Sequence, residues 1–269
     1  MAMDEFCGVG SSTLNLGNTD YPVWIGGSHP PVWMGGPCAV ESEAQIWLCA
    51  ETMSNAGGMV LRGGAFKPRS HPRSFQGLGA PALRWLRQAA DAHKLLVVTE
   101  VLGLTDLDLV LDSADIIQIG ARNAQNYELL RAVGRQPKPV LLKRGAGCTV
   151  DEWLGSAEYV WRGGNQRVIL CERGIRGFDP ATRFVLDVSS LALVRQTYGL
   201  PVLADPSHAT GLRELVRPAA LAALAAGADG ILFECHPSPE SALSDARQQI
   251  AISDVPALIQ AGNRIWAAR

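Results

Sequence analysis

Four residues of the sequence carry side chains that bind divalent metal ions in proteins. They are one thiol, one imidazole and two carboxylates, at Cys38, His208, Glu234 and Asp245. This mixture of soft and hard donors suits a transition metal such as Mn²⁺, Fe²⁺, Co²⁺ or Zn²⁺ better than Mg²⁺ or Ca²⁺. No short motif joins the four, so each keeps an ordinary alternative, such as a buried core residue for Cys38 or a helix cap for Asp245.

A second set of residues is cationic. It comprises Arg62, Lys67, Arg69, Arg122, Lys143, Arg144 and Arg173. Arginine forms forked hydrogen bonds to carboxylates and phosphates, and lysine contributes a compact positive charge. Because like charges repel, their convergence on one place predicts one or two substrates with several negative charges. The alternative for any single one is a surface ion pair.

Short apolar runs alternate with segments of helical periodicity and would position these residues. The predicted strands are 32–34, 59–61, 95–98, 116–119, 139–142, 167–170, 201–204 and 230–233, and the predicted helices include 41–56, 80–92, 126–133, 150–162, 189–197 and 214–226. Runs rich in Val, Ile and Leu are typical of parallel strands buried on both faces. Eight strand–helix units predict an α/β fold, a (β/α)₈ TIM barrel. An open doubly wound sheet is the alternative, but the first strand lacks a G-x-G-x-x-G turn.

The chemistry of a TIM barrel lies at the carboxyl ends of its strands. Both sets of residues follow predicted strands, so we expect them at one mouth of the barrel. Cys171 and Cys235 stand beside such positions. Because neighbouring side chains on a strand point to opposite faces, we expect these two cysteines to be packing residues.

The N-terminal part of the chain differs from the rest. We predict a flexible segment over 1–20 and a single catalytic barrel domain over 21–269. Residues 23–25 and 32–34 flank the turn sequence Gly-Gly-Ser-His-Pro at 26–30, which predicts a short β-hairpin that closes the bottom of the barrel.

Composition excludes several classes of protein. The 269 residues have a formal net charge of −2 without a basic tract, which argues against a nucleic-acid partner. No apolar run approaches the roughly 20 residues of a membrane span, and the N-terminus lacks the pattern of a signal peptide. We therefore expect no membrane partner, a cytoplasmic location, and six cysteines kept as thiols.

Several stretches together resemble the type I β group of 3-deoxy-7-phosphoheptulonate (DAHP) synthases and the related KDO8P synthases. They are GPCAVES at 36–42, LRGGAFKPR at 61–69, QIGARN at 118–123, LKRG at 142–145, ILCERG at 169–174, DPSHATG at 205–211, and ECHP at 234–237 followed by ALSD at 242–245. The resemblance covers most of the chain. It implies a TIM barrel that associates as a homo-oligomer, a dimer or a tetramer.

The resemblance also implies a role for each position. Cys38, His208, Glu234 and Asp245 match the metal ligands of the family. Arg62, Lys67, Arg122, Lys143 and Arg173 match the residues that hold phosphoenolpyruvate, the last three around its phosphate. Lys67, Pro68, Arg69 and Ser70 match the loop that binds the aldose phosphate. Cys38 and Pro68 favour the seven-carbon enzyme, since many eight-carbon synthases have Asn at the former position and typically have Asn at the latter.

The implied reaction is a metal-dependent, aldol-type condensation of phosphoenolpyruvate with erythrose 4-phosphate and water. Its products are 3-deoxy-D-arabino-heptulosonate 7-phosphate and phosphate, the first step of the shikimate pathway to the aromatic amino acids. Cys38, Lys67 and His208 are the catalytic candidates, the last two for proton transfer. A non-catalytic sugar-phosphate-binding barrel is the competing class, but no expected ligand or phosphate-holding arginine is missing.

Four positions depart from the family pattern near the second substrate. They are His71 and Arg73 in the aldose loop, and Gly177 and Phe184 after the sixth strand. The alternative is therefore the same chemistry on another phosphorylated aldose, in a KDO8P-like or secondary-metabolite variant.

Overall fold

The computed structural model describes residues 13–69 and 71–269. Eight parallel strands form a closed barrel, because the last strand pairs with both the first and the seventh. The barrel strands are β3 Val32–Gly36, β4 Val60–Arg62, β5 Leu96–Val101, β6 Ile116–Ile119, β7 Val140–Lys143, β8 Val168–Glu172, β9 Val202–Ala204 and β10 Gly230–His236. The predicted TIM barrel is confirmed, and the open sheet is excluded.

Helices surround the barrel. They are α1 Glu43–Asn55, α2 Ala80–Ala92, α3 Leu107–Ser113, α4 Tyr127–Val133, α5 Val150–Arg162, α6 Val188–Leu193, α7 Pro206–Thr210, α8 Arg213–Ala225 and α9 Val255–Ala267. Side-chain caps fix where several of them begin: Ser42 accepts the backbone N–H of Gln45, and Thr149 forms a reciprocal capping box with Glu152. No helix within the described ranges is both long and apolar enough to cross a membrane.

Two apolar clusters hold these layers together. The outer cluster lies between strands and helices and includes the buried Trp33 and Trp153. The inner cluster fills the barrel with one or two residues from each strand, such as Met34, Val98 and Leu232. Alternation along each strand sends one set of side chains inward and the other outward.

A two-stranded antiparallel sheet closes the amino-terminal end of the barrel. It consists of β1 Leu14–Asn15 and β2 Trp24–Ile25. Leu16, Val23 and Ile25 join the inner apolar cluster, so the hairpin forms the floor of the barrel. The predicted hairpin is therefore present with a different partner strand, since residues 32–34 belong to β3 of the barrel.

This hairpin also includes part of the segment predicted to be flexible over 1–20. Leu16 is only 2% exposed and belongs to the barrel core. Residues 1–12 lie outside the described residues.

A short strand, β11 Ile250–Ala251, pairs in parallel with the carboxyl end of β10.

Candidate active site

A polar cavity of about 260 Å³ opens at the carboxyl ends of the barrel strands. Its lining is Lys67, Pro68, Arg69, His71, Ser74, Glu100, Gly120, Ala121, Arg122, Lys143, Arg173, Arg183, His208 and Asp245. The position agrees with the mouth predicted from the strand ends. Most of the predicted substrate-binding residues line this cavity. Ser70, which was also predicted, lies outside the described residues.

The strand pattern explains why charged groups gather there. In seven strands a polar residue stands two positions beyond the last apolar residue of the inner cluster, and therefore points to the same interior. These residues are Arg62, Glu100, Gln118, Lys143, Arg173, Asp205 and Glu234. The apolar interior of the barrel thus continues upward into a charged layer.

Three of the four predicted metal ligands converge. One ligand atom from each of Cys38, Glu234 and Asp245 lies within 4.8 Å of the other two. His208 adjoins this group, since its Nε2 is 3.4 Å from Glu234 Oε1 and 3.9 Å from Asp245 Oδ2. Three of the four side chains therefore form one group, and His208 lies beside two of its members, outside the group itself.

Close packing of β3 against β4 places Cys38. Gly36 has a φ of +149°, and a Cβ there would lie 2.1 Å from the carbonyl oxygen of Arg62. Beyond the strands, Ala39 bridges to Gly64 in parallel register. A Cβ on Gly64 would lie 2.8 Å from both the Cys38 carbonyl oxygen and Lys67 Cδ. Glycine at these positions lets Lys67 reach Cys38.

Lys67 is a buried ammonium beside the thiol. Its Nζ donates to the Cys38 carbonyl oxygen at 2.9 Å and lies 3.1 Å from Cys38 Sγ. Burial alone would lower the pKa of Lys67, but the nearby Cys38 and Glu234 outweigh burial and raise that pKa. Lys67 therefore carries a proton at neutral pH.

His208 is oriented by a carboxylate that lies below it. Its Nδ1 is 2.7 Å from Asp205 Oδ2, and Lys143 Nζ donates to the same oxygen at 2.6 Å. Burial lowers the pKa of His208 despite the opposing effect of Asp205, which favours the neutral imidazole. The carboxylate beside Nδ1 favours the tautomer with its proton on that atom, which would leave the Nε2 lone pair facing Glu234 and Asp245.

Glu234 and Asp205 are ionised although they are buried. Burial alone would raise the pKa of Glu234, but His208 and Arg62 outweigh burial and hold it at about 2. Burial alone would also raise the pKa of Asp205. His208 and Lys143 outweigh burial and hold that pKa well below its ordinary value. Arg62 forms an ion pair with Glu234 beneath the cavity.

Three cations predicted to surround a phosphate, Arg122, Lys143 and Arg173, all line the cavity. Arg173 is 5% exposed, and its guanidinium carbon lies 4.6 Å from the ring centroid of Phe184. Arg122 is exposed and also lines the cavity. These cations present donors to one cavity, as their predicted role around a phosphate requires.

Arg69 and Arg183 also line the cavity, where both lie close to Asp245. Each has a guanidinium nitrogen 3.8 Å from a carboxylate oxygen of Asp245. His71, one of the departures from the family pattern, also lines the cavity. These contacts add two guanidinium groups and an imidazole to the lining of the cavity near Asp245.

One expectation about this layer is wrong. Arg144 does not line the cavity: its NH1 donates to Glu172 at 2.9 Å and to Asp187 at 3.0 Å. Cys171 is a packing residue, as predicted, and it belongs to the inner cluster. Strand alternation places residues 171 and 173 on one face and Glu172 on the other. Cys235 lies in the outer cluster, as predicted.

Comparison with known proteins identifies the family. The model of the DAHP synthetase I family matches residues 12–265. The chain belongs to the DAHP synthetase I family. Its relatives include the phospho-2-dehydro-3-deoxyheptonate aldolase of Thermotoga maritima, 53% identical over 84% of this chain and 67% of that protein. The 2-dehydro-3-deoxyphosphooctonate aldolase of Geobacter sulfurreducens is 32% identical over 88% of this chain and 93% of that protein.

Solved structures of the family share the fold. The crystal structure of the Thermotoga maritima phospho-2-dehydro-3-deoxyheptonate aldolase superposes with a TM-score of 0.93 at 48% identity, covering 98% of this chain and 76% of that one. A truncated form of 3-deoxy-D-arabino-heptulosonate 7-phosphate synthase from the same organism gives 0.90 at 45% identity, covering 98% and 95%.

The donor set of this DAHP synthetase family member fits a divalent metal. Burial and the charge of Glu234 raise the pKa of the Cys38 thiol to about 12, so the isolated thiol keeps its proton. A cation bound between Cys38, Glu234 and Asp245 would remove that repulsion and favour the thiolate. The neutral His208 supplies the nitrogen that such a set still needs.

Sequence reasoning did not assign a role to Asp205, Glu100, Arg183 or Gln248, which all touch the site or its ligands. Asp205 had a usable signal, because its position three residues before His208 is that of a helix cap that can also contact the imidazole. Gln248 had no such signal in the sequence. It lies in a loop, and hydrophobic periodicity does not predict the path of a loop.

Proposed function

We propose that this chain catalyses the metal-dependent condensation of phosphoenolpyruvate with erythrose 4-phosphate and water, to give 3-deoxy-D-arabino-heptulosonate 7-phosphate and phosphate. One observation carries the proposal: a single cavity joins the buried cations Lys143 and Arg173 to Asp245 and His208 of the ligand cluster. An anionic enol phosphate and an aldehyde can therefore be held side by side, as carbon–carbon bond formation requires.

The cationic end supports binding of phosphoenolpyruvate. Arg122, Lys143 and Arg173 surround the phosphate in this proposal, and Arg62 and Lys67 lie toward the carboxylate. Arg173 is buried without an ion-pair partner among the described residues, which is costly unless an anion arrives. The site is thus charged in advance for a substrate that carries a phosphate and a carboxylate.

The reaction needs one new carbon–carbon bond and the loss of one phosphate. The methylene carbon of phosphoenolpyruvate attacks the aldehyde carbon, water adds at the former enol carbon, and phosphate leaves from the resulting hemiketal. A divalent metal held by Cys38, His208, Glu234 and Asp245 would act as a Lewis acid toward the aldehyde oxygen. Holding both substrates in reacting geometry can contribute about 7–11 kcal/mol to lowering the barrier.

Protons in this proposal are handled by residues of the chain. Lys67 holds its proton at neutral pH and lies against Cys38, so it is placed to donate toward the oxygen that was the aldehyde. His208 is the second candidate, since Asp205 fixes its ring. A positioned donor of this kind typically contributes roughly 10²–10⁴-fold in rate.

The second substrate in this proposal is an aldose phosphate, which would bind beside the loop that follows β4. Pro68, Arg69 and Ser70 form the proposed aldose-phosphate loop, and Arg183 and His71 add polar groups on the same side. A relative named 2-dehydro-3-deoxyphosphooctonate aldolase shares 32% identity, which keeps a five-carbon aldose as the alternative.

The test compares kcat/KM for erythrose 4-phosphate, ribose 5-phosphate and arabinose 5-phosphate, with phosphoenolpyruvate held saturating and phosphate release as the signal. We expect the four-carbon aldose to be preferred at least tenfold. A rate near zero with erythrose 4-phosphate, alongside turnover of a five-carbon aldose, would contradict the heptulosonate assignment and leave the shared chemistry in place. No turnover of any of the three would contradict the enzyme proposal.

We further propose a cytoplasmic homo-oligomer, a dimer or a tetramer. The five cysteines within the described ranges are all free thiols, which suits a reducing compartment. Sedimentation of the purified enzyme tests the oligomeric state.

A further inference from the structure

Two adjacent glutamines lie directly behind the metal-ligand cluster. Gln248 is 3% exposed and Gln249 is 0% exposed, and both come from the loop between Asp245 and β11. Amides of this kind are buried only when their hydrogen bonds are made. Their partners therefore show what the loop is built to hold.

Gln248 bridges the two carboxylates of the cluster. Its Nε2 donates to Glu234 Oε2 at 2.5 Å and lies 3.3 Å from Asp245 Oδ2. Its Oε1 accepts from Arg183 at 3.0 Å, which fixes the orientation of the amide. Two carboxylates this close repel, so a shared donor lowers the cost of keeping them together.

The backbone around Asp245 adds a second, independent observation. Asp245 has a φ of +47°, in the left-handed region that non-glycine residues rarely adopt. The backbone N–H of Gln248 donates to the Asp245 carbonyl oxygen at 3.1 Å and closes the turn. Strain of this kind persists only where surrounding contacts hold it, and it clusters at functional sites.

Gln249 connects the same loop to the third ligand. Its Oε1 accepts the backbone N–H of Cys38 at 3.0 Å, and its Nε2 donates to the Ser244 carbonyl oxygen at 2.9 Å. The residues before and after Asp245 are thus tied to the strand end that carries Cys38. The loop is anchored on both sides of the ligand it supplies.

We propose that Gln248 is a positioning residue that holds Glu234 and Asp245 at the spacing a divalent cation requires. The inference rests on the proposed function, because it presupposes a metal at this cluster. Gln248 does not touch substrate in this account. It acts through the two carboxylates, and Gln249 acts in parallel through the backbone of Cys38.

The test is a Co²⁺ titration of metal-free Gln248→Met, which keeps the length of the side chain and removes the amide. The absorption band from the Cys38 thiolate to cobalt reports binding, and competition with a chelator gives Kd. We expect Kd to rise roughly 10–100-fold, as is typical when a group supporting a metal ligand is lost. Gln88→Met, on the exposed face of α2, is the matched control and should keep the wild-type Kd.

A second variant keeps the inference testable if Gln248→Met does not fold. Gln248→Asn keeps the amide but is one methylene too short to span both carboxylates, and it should also raise Kd. A Kd within twofold of wild type in either folded variant overturns the inference while leaving the proposed function intact. If the wild-type chain itself gives no thiolate–cobalt band, the metal site and the inference fall together.

Discussion

Arg173 illustrates at the scale of single residues how the site is prepared for an anion. Its guanidinium is buried, it lacks a carboxylate partner among the described residues, and it stacks on Phe184. Arg183 lies over the same ring at 5.5 Å. Gly174 permits this contact, because a Cβ there would lie 2.6 Å from Phe184 Cβ. Phe184 thus contacts the guanidinium of Arg173 without adding a competing charge.

Replacing Phe184 with Leu tests this arrangement. A cation–π contact contributes about 0.5–1 kcal/mol at a partly exposed site, so we expect KM for phosphoenolpyruvate to rise roughly two- to sixfold with little change in kcat. Phe178→Leu is the control, because the Phe178 side chain is fully exposed. Equal KM values in the two variants would show that the ring does not support Arg173.

The same scale shows where sequence reasoning succeeds and fails. The ligand atoms of Cys38, Glu234 and Asp245 converge, as the family resemblance implies and as their places after predicted strands allow. Arg144 was expected at the mouth, but side chains alternate where β7 ends, so Lys143 faces the cavity and Arg144 faces Glu172. A phase error of one residue exchanges the barrel interior for the outer layer.

The strands and helices follow the apolar pattern closely, and the differences have a common cause. The run predicted over 59–61 is β4 Val60–Arg62, and the run over 230–233 is β10 Gly230–His236. These strands extend beyond their apolar runs because their last residues are the charged ones that form the site. The hairpin partner was wrong because β1 lies in a polar segment with too few apolar residues to signal a strand.

The hairpin at the floor of the barrel yields a prediction at the scale of elements. Leu16→Ala should lower the free energy of unfolding by roughly 2–5 kcal/mol, since Leu16 packs into the inner cluster. Leu104→Ala, at a side chain 47% exposed, is the matched control and should change stability little. The measurement is urea unfolding of both variants, with kcat of the folded enzymes in parallel. A loss of stability no larger than that of the control would mean that the hairpin does not close the core.

At the scale of the whole molecule, the two ends of the barrel differ: one end is an apolar floor, and the other contains the candidate active site. Its amino-terminal end is sealed by an apolar floor, and its carboxyl-terminal end carries a concentrated positive charge in a chain whose net charge is −2. A mouth of this kind favours the approach of anions, and the rest of the chain carries the compensating negative charge.

Diffraction from a crystal loaded with Co²⁺, recorded at the cobalt absorption edge, tests the central claim most directly. The account predicts a single anomalous peak at the barrel mouth, roughly 2.0–2.4 Å from Cys38 Sγ, His208 Nε2 and an oxygen of each of Glu234 and Asp245. A peak elsewhere, or an ion that leaves Cys38 and His208 uncoordinated, would contradict it.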